Sequence, residues 1–304
     1  MYPILLHSPS KREIWGGKKI YGMFPEEEYE NASELWLLSC REDGESTVKN
    51  GSLKDSTVGQ VFEELGKRFG GKKYDPFKAF PIFIKLVDAK DSLPIGASTK
   101  NRLLYIADAE PDAQMVYGFS RDTSESEIRQ RISTNTLFSV CNYSAVKKGD
   151  IISIPAGLIH AIGKGILCYE ILAGDEEFYP ISDYGRTDEN GNRLPLMISS
   201  ALHILDYSAA PSNAARLEDT FLYPFGTVSE FPTDKSLFVS LIRLSGSAGL
   251  SENESFISAV ITEGSATMSY PSGSVHLKTG DSIVIPAGMN VKFTGYADIL
   301  CSHL

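Results

Sequence analysis

The stretch that decides the fold is Lys147-Lys148-Gly149-Asp150-Ile151-Ile152-Ser153-Ile154-Pro155-Ala156-Gly157-Leu158-Ile159-His160. A charged Gly-Asp turn leads into a short apolar strand, a Pro-Ala-Gly corner follows, and a histidine opens the next strand. The chain repeats this frame at Lys278-Thr279-Gly280-Asp281-Ser282-Ile283-Val284-Ile285-Pro286-Ala287-Gly288-Met289-Asn290-Val291. The offset, from Gly149 to Gly280, is 131 residues, a period of domain size rather than of a solenoid. The copies differ at their last position, where His160 becomes Val291. A functional histidine would therefore belong to one half only.

Working outward, 304 residues leave room for two domains and a sizeable core. The net charge of −10 argues against a nucleic-acid or anionic-membrane partner, since both require a basic face. A small phosphorylated ligand stays compatible, because a few local cations can hold one phosphate. Cys40, Cys141, Cys168 and Cys301 are widely spaced and form no Cys-x-x-Cys pair, so they read as reduced, apolar cysteines. The apolar start at residues 2–6 is soon followed by Lys11-Arg12-Glu13, too short for a signal peptide, and no run approaches a membrane helix. The expectation is a cytoplasmic protein.

Before the central stretch, helical spacing of Val58, Val61, Phe62, Leu65 and Phe69 predicts a helix over 57–69, with Ser56 as cap and Gly70-Gly71 as stop. Strands are expected at 35–39, 80–89, 103–107, 115–118 and 166–172. A short polar helix opens at Ser124 and another lies near 196–205. Residues 208–218, rich in Ala, Ser and Pro, read as a linker. Beyond 219 the chain is short strands and turns. The expected fold is mainly β, two jelly-roll barrels of cupin type with a few helices decorating the first half. The expected domains are 1–207, carrying the pocket, and 219–304, a similar barrel without the histidine.

Gly149, Pro155, Gly157 and His160 match the second cupin motif, Gly-x5-Pro-x-Gly-x2-His. Together with Lys11-Arg12-Glu13-Ile14-Trp15-Gly16-Gly17, the 80–88 segment and the 154–165 segment, they make the chain resemble type I mannose-6-phosphate isomerase in its short bacterial form. The resemblance implies zinc-dependent interconversion of mannose 6-phosphate and fructose 6-phosphate. It also implies four metal ligands: a Gln and a His from Leu-Ser-x-Gln-x-His-Pro, a Glu from Lys-x-Glu, and a His from the Pro-x-Gly corner. A Lys and an Arg handle substrate. Zinc takes imidazole and carboxylate readily, and as a Lewis acid it stabilises the oxyanion that develops as a proton moves between carbons.

The residues depart from that pattern. Leu93-Pro94-Ile95-Gly96-Ala97-Ser98 puts Gly96 at the Gln position and Ser98 at the His position. Lys100-Asn101-Arg102 keeps the Lys but replaces the Glu with Arg102, and Pro180 stands at the substrate Arg. His160 is the one implied metal ligand retained, and one imidazole does not make a zinc site. Lys85, Lys100 and Arg102 suggest instead a cationic rim for a sugar phosphate or other anion. The alternative is that Arg102 is paired with a carboxylate such as Asp88 or Asp91. Three functions follow: the zinc isomerase itself, a non-catalytic sugar-phosphate-binding or regulatory relative, and a cupin enzyme with a rebuilt site.

Overall fold

The computed structural model describes residues 1–25, 27–211, 214, 219–231 and 237–304. The first half is an antiparallel barrel of two facing sheets. One has six strands, in the order Ile151–Ile154, Arg102–Ala109, Ile166–Ala173, Ile82–Ala89, Glu34–Leu38 and Ser10–Lys11. The other has five, in the order Cys141–Ala145, Gln114–Phe119, His160–Ala161, Ile95–Ser98 and Phe178–Ser182.

Period-two alternation decides what each strand shows to the lumen. In Ile166–Ala173, Ile166 and Cys168 join the lumen cluster with Val87, Leu104 and Ile106. Leu167, Tyr169 and Ile171 face the other way, into a core shared with Leu241, Phe256, Val260 and Leu300 of the second half. Both faces of this sheet are therefore buried, which explains why its central strands are nearly unbroken apolar runs. A charged residue inside such a run, as Glu170 is, has to be held by partners.

The second half is built on a nine-stranded sheet whose main strands are Phe238–Leu250, Ile257–Tyr270 and Val291–His303. The sequence predicts only short strands and turns here. In the structure the last two run through for 14 and 13 residues. A bulge between Ile261 and Glu263, with Gly264 and Gly295 at φ of +80° and +150°, bends the strands without ending them. The N-terminal strand Ile4–His7 pairs with Ser282–Ile285, so the first residues of the chain belong to the second sheet. A division at 207 and 219 does not describe that strand, and most of the 208–218 linker lies outside the described residues.

The repeated turns superpose in chemistry as well as in sequence. Asp150 accepts from the Lys147 amide at 2.9 Å and Asp281 from the Lys278 amide at 2.8 Å. Gly157 and Gly288 have φ of +79° and +74°, and each corner closes with an amide bonded back to its proline carbonyl. The helix expected over 57–69 is split. Thr57, not Ser56, caps Val58–Leu65 in a reciprocal box with Gln60, because Thr57 is the residue in extended conformation. Gly66 at φ +49° then interrupts it before Lys67–Gly70. Helices Glu125–Ser133 and Ile198–Ile204 cover the outer face of the five-stranded sheet through Ile128, Ala201 and Leu202. The four cysteines are free thiols. No described helix is long and apolar enough to cross a membrane.

Candidate functional site

Register brings the departed positions together. His160 pairs with Gly96, and Gly96 pairs on its other side with Pro180, so all three lie in one row across the five-stranded sheet. Ser98 is paired with Phe178. Because Ile95, Ala97, Ala161 and Ile181 point outward, His160, Gly96, Ser98, Phe178 and Pro180 face the lumen. Opposite them the six-stranded sheet presents Glu34, Lys85, Arg102 and Glu170. The cavity between has a volume of about 480 Å³.

His160 is 2% exposed. Its Nδ1 lies 2.8 Å from the Leu158 carbonyl, which can only accept, so Nδ1 carries the proton and Nε2 is a lone-pair acceptor. Burial, and then the Arg102 guanidinium, push its pKa down to about 3, so the ring is neutral at physiological pH. Nε2 has no hydrogen-bond partner among the described residues. The ring meets the Phe178 ring edge-on at 5.4 Å, and Arg102 lies over the same Phe178 ring at 5.4 Å.

Arg102 is fixed by two carboxylates, Glu170 at 3.0 Å and Glu176 at 2.5 Å. Lys85 is held by Glu34 at 2.7 Å and by Glu170 at 2.9 Å. Glu34 also accepts from the Trp36 indole at 2.7 Å. Lys85 and Glu170 are direct cross-strand partners, and Arg102 lies diagonally beyond. Burial works against the charge on Glu170, but Lys85 and Arg102 outweigh it and hold its pKa at about 2. Burial likewise opposes the Lys85 ammonium, and Glu170 and Glu34 outweigh it. The result is a chain of charges, Glu34–Lys85–Glu170–Arg102–Glu176, crossing the wall of the lumen.

The expected partners of Arg102, Asp88 and Asp91, are not its partners. Residues 102, 104 and 106 face the lumen, and there the nearest carboxylates come from the neighbouring strand and its following loop. Lys100 is not in this cavity either. It sits on the turn before Arg102, half exposed, bonded to Asp175 at 2.5 Å, and lines a neighbouring cavity of about 540 Å³ that shares only Arg102 with the first among the described residues. The structure thus unites Lys85, Arg102 and His160 but sets Lys100 apart. A larger cleft of about 860 Å³ lies outside the barrel between residues 12–19 and the 187–190 loop. Its Arg12 and Lys19 are paired with Glu189 and Asp108, and its lining among the described residues has no histidine.

Glu34, Glu170, Glu176 and Phe178 were not singled out from sequence. Glu170 and Lys85 carried a signal, a charge inside a buried apolar run. Glu176 and Phe178 sit in and after a loop of ordinary polarity and carried none.

Zinc does not fit these residues. Gly96 has no side chain, and a Cβ there would run into the Tyr179 carbonyl and lie 2.7 Å from Phe178 Cζ. The space in which a longer ligand at 96 would extend is thus taken by the Phe178 ring. Arg102 brings a fixed positive charge to the implied Glu position, beside a histidine whose acidity it has already raised. Among the described residues no group of three His, Cys, Asp or Glu is arranged to hold a metal ion.

Residues 4–128 match the model of the phosphomannose isomerase type I catalytic domain, and residues 227–304 match that of the mannose-6-phosphate isomerase cupin domain. The chain is 27% identical over 321 residues to mannose-6-phosphate isomerase ManA of Bacillus subtilis, covering 99% of both chains. It is 27% identical over 325 residues to mannose-6-phosphate isomerase of Streptococcus mutans, covering 99% and 98%. The crystal structure of the Bacillus subtilis mannose 6-phosphate isomerase superposes with a TM-score of 0.91 at 26% identity over the full length of both chains. The Salmonella typhimurium isomerase bound to its substrate f6p and zinc shares the fold, with a TM-score of 0.78 at 13% identity, covering 100% and 99%. Two matched domains in the right order, full-length relatives and a full-length superposition place the chain in the family of type I mannose-6-phosphate isomerases.

Proposed function

We propose that this chain keeps the fold and pocket of the isomerase family but does not carry out zinc-dependent isomerisation. The observation that supports this reading is Arg102 itself. Its guanidinium, locked between Glu170 and Glu176 beside a neutral His160, puts a fixed positive charge at the position where the resemblance implies a metal-ligating Glu. With Gly96, Ser98 and Arg102 at the implied ligand positions, no Lewis acid is held where a sugar oxyanion would develop. With Pro180 at the implied Arg position, the substrate contact expected there is missing as well. The protein acts in this reading as a binding member of the family, in a cytosol that keeps its four thiols reduced.

A catalytically rebuilt site has less support. His160 is neutral, fully enclosed and bonded to a carbonyl, which suits an acceptor better than a proton shuttle. The test is a coupled assay of mannose 6-phosphate to fructose 6-phosphate, run with added zinc and with chelator. The expected result is no turnover above the protein-free rate in either buffer. Turnover that zinc supports and chelator removes contradicts the proposal.

A further inference from the structure

We infer that the 480 Å³ cavity beside His160 takes an unphosphorylated sugar, a neutral polyhydroxylated ring, rather than a sugar phosphate. This rests on the reading above, that no metal organises the site. The cavity falls within the range of about 300–1,000 Å³ over which small-molecule sites occur.

Most of the charged groups lining this cavity are already engaged with one another. A phosphate ester is an anion that only accepts, and it needs free donors and positive charge. The lining offers the reverse. It holds five carboxylates (Glu13, Glu34, Asp43, Glu170, Glu176) against three cations (Arg41, Lys85, Arg102). Lys85 and Arg102 are already bonded to three of those carboxylates. Arg41 alone has no carboxylate partner among the described residues; its guanidinium donates to the Glu176 carbonyl at 3.3 Å and lies over the Phe83 ring. A phosphate would have to separate buried ion pairs or sit among carboxylates.

What remains free is chiefly acceptor. The Glu13 carboxylate is accessible and has no side-chain partner among the described residues, yet it stands in a concave wall, where burial and then Glu34 raise its pKa. His160 lines the cavity, and its Nε2 is a buried lone pair with no hydrogen-bond partner among the described residues. Arg102 Nε–H is a buried donor nearby with no partner among the described residues. A hydroxyl suits this set because it donates to carboxylate or imidazole and accepts from an N–H in one position. Apolar wall comes from Phe83, Leu172 and Phe178, against which the C–H face of a sugar ring can pack.

Isothermal titration of the full chain in chelator-containing buffer, with D-mannose, D-fructose and mannose 6-phosphate in parallel, tests the inference. Saturable binding of a neutral hexose, with mannose 6-phosphate at least about tenfold weaker, is expected. Glu13→Gln, at an accessible position that leaves the core intact, is expected to weaken hexose binding by about fivefold or more. The inference is overturned if mannose 6-phosphate binds as tightly as the hexoses, if no hexose binds, or if Glu13→Gln leaves hexose affinity unchanged. Preferred binding of mannose 6-phosphate without turnover would overturn this inference alone. Zinc-dependent turnover would overturn the proposed function beneath it.

Discussion

The two barrels of this chain share a frame and differ in what they enclose. The second holds a cluster of Ile257, Ala259, Met268, Leu277, Ile283 and Phe293, with Val291 where the repeat places a histidine. Its buried polar residues are serines and one threonine, among those described. In the first half the buried set includes Glu34, Arg102, His160, Glu170 and Glu176, and these meet at one end of the lumen while Val87, Leu104, Ile106 and Cys168 fill the other. The same Gly-Asp turn and Pro-x-Gly corner therefore support either a sealed apolar core or a polar cavity. The frame carries the architecture, and the lumen-facing residues carry the chemistry. Buried charges stabilise little by themselves, but breaking one of their pairs is costly, so the first barrel is the more fragile of the two.

The sharpest way to expose that difference is Glu170→Ala, which leaves Lys85 and Arg102 facing each other without their shared counter-charge. The expected loss is about 3–5 kcal/mol, read from urea or guanidinium unfolding. A loss no larger than that of an exposed ion pair would mean the charge chain is loosely held. Next in size is Val291→His, which asks the second barrel to accept what the first contains. An imidazole in that apolar cluster lacks the surrounding charges, and a destabilisation of about 1–3 kcal/mol is expected by the same measurement.

Acid should then separate the halves. Glu170 has a folded pKa of about 2, below the ordinary carboxylate value of 4.5, so the stability it contributes is present above that ordinary value and is lost as pH falls towards 2. His160, neutral when folded with a pKa of about 3 against an ordinary 6.5, binds its proton first in the unfolded chain. Stability therefore falls as pH drops from 6.5 towards 3. Stability measured across this range is expected to decline, with hydrogen exchange in the first barrel accelerating before that in the second. Simultaneous acceleration in both would remove the contrast. The smallest effect is expected from His160→Val, which writes the second barrel's residue into the first. It removes one hydrogen bond to Leu158 but also an unpartnered nitrogen, so a change within about 1 kcal/mol is expected. A larger loss would mean that His160 holds the lumen together.

Much of the fold is legible in the residues, because strand, turn and corner chemistry are local. Gly149-Asp150 and Pro155-x-Gly157 bond within a few residues of themselves, so their repeat at Gly280 and Pro286 reveals two equivalent barrels. The long bent strands of the second half are less legible, since a bulge and a turn look alike until the partner strand is known. The site is legible in its losses and opaque in its replacements. It is the resemblance to the isomerase family that sets Gly96, Ser98 and Arg102 at the implied ligand positions. That Phe178 covers Gly96, that Glu170 is shared by Lys85 and Arg102, and that Glu176 reaches in from a loop all depend on register between strands distant in sequence. Lys100 illustrates the same limit: two residues from Arg102, it lies on a turn and points elsewhere.

The proposal to break is that the Arg102 guanidinium, and not a metal, stands opposite His160 in the first barrel. Its most direct test is elemental analysis of the purified chain after dialysis against zinc and removal of unbound ion. The expected result is zinc far below one per chain, with thermal stability unchanged by zinc or chelator. Near-stoichiometric zinc that survives dialysis, and whose removal lowers the melting temperature, would contradict it.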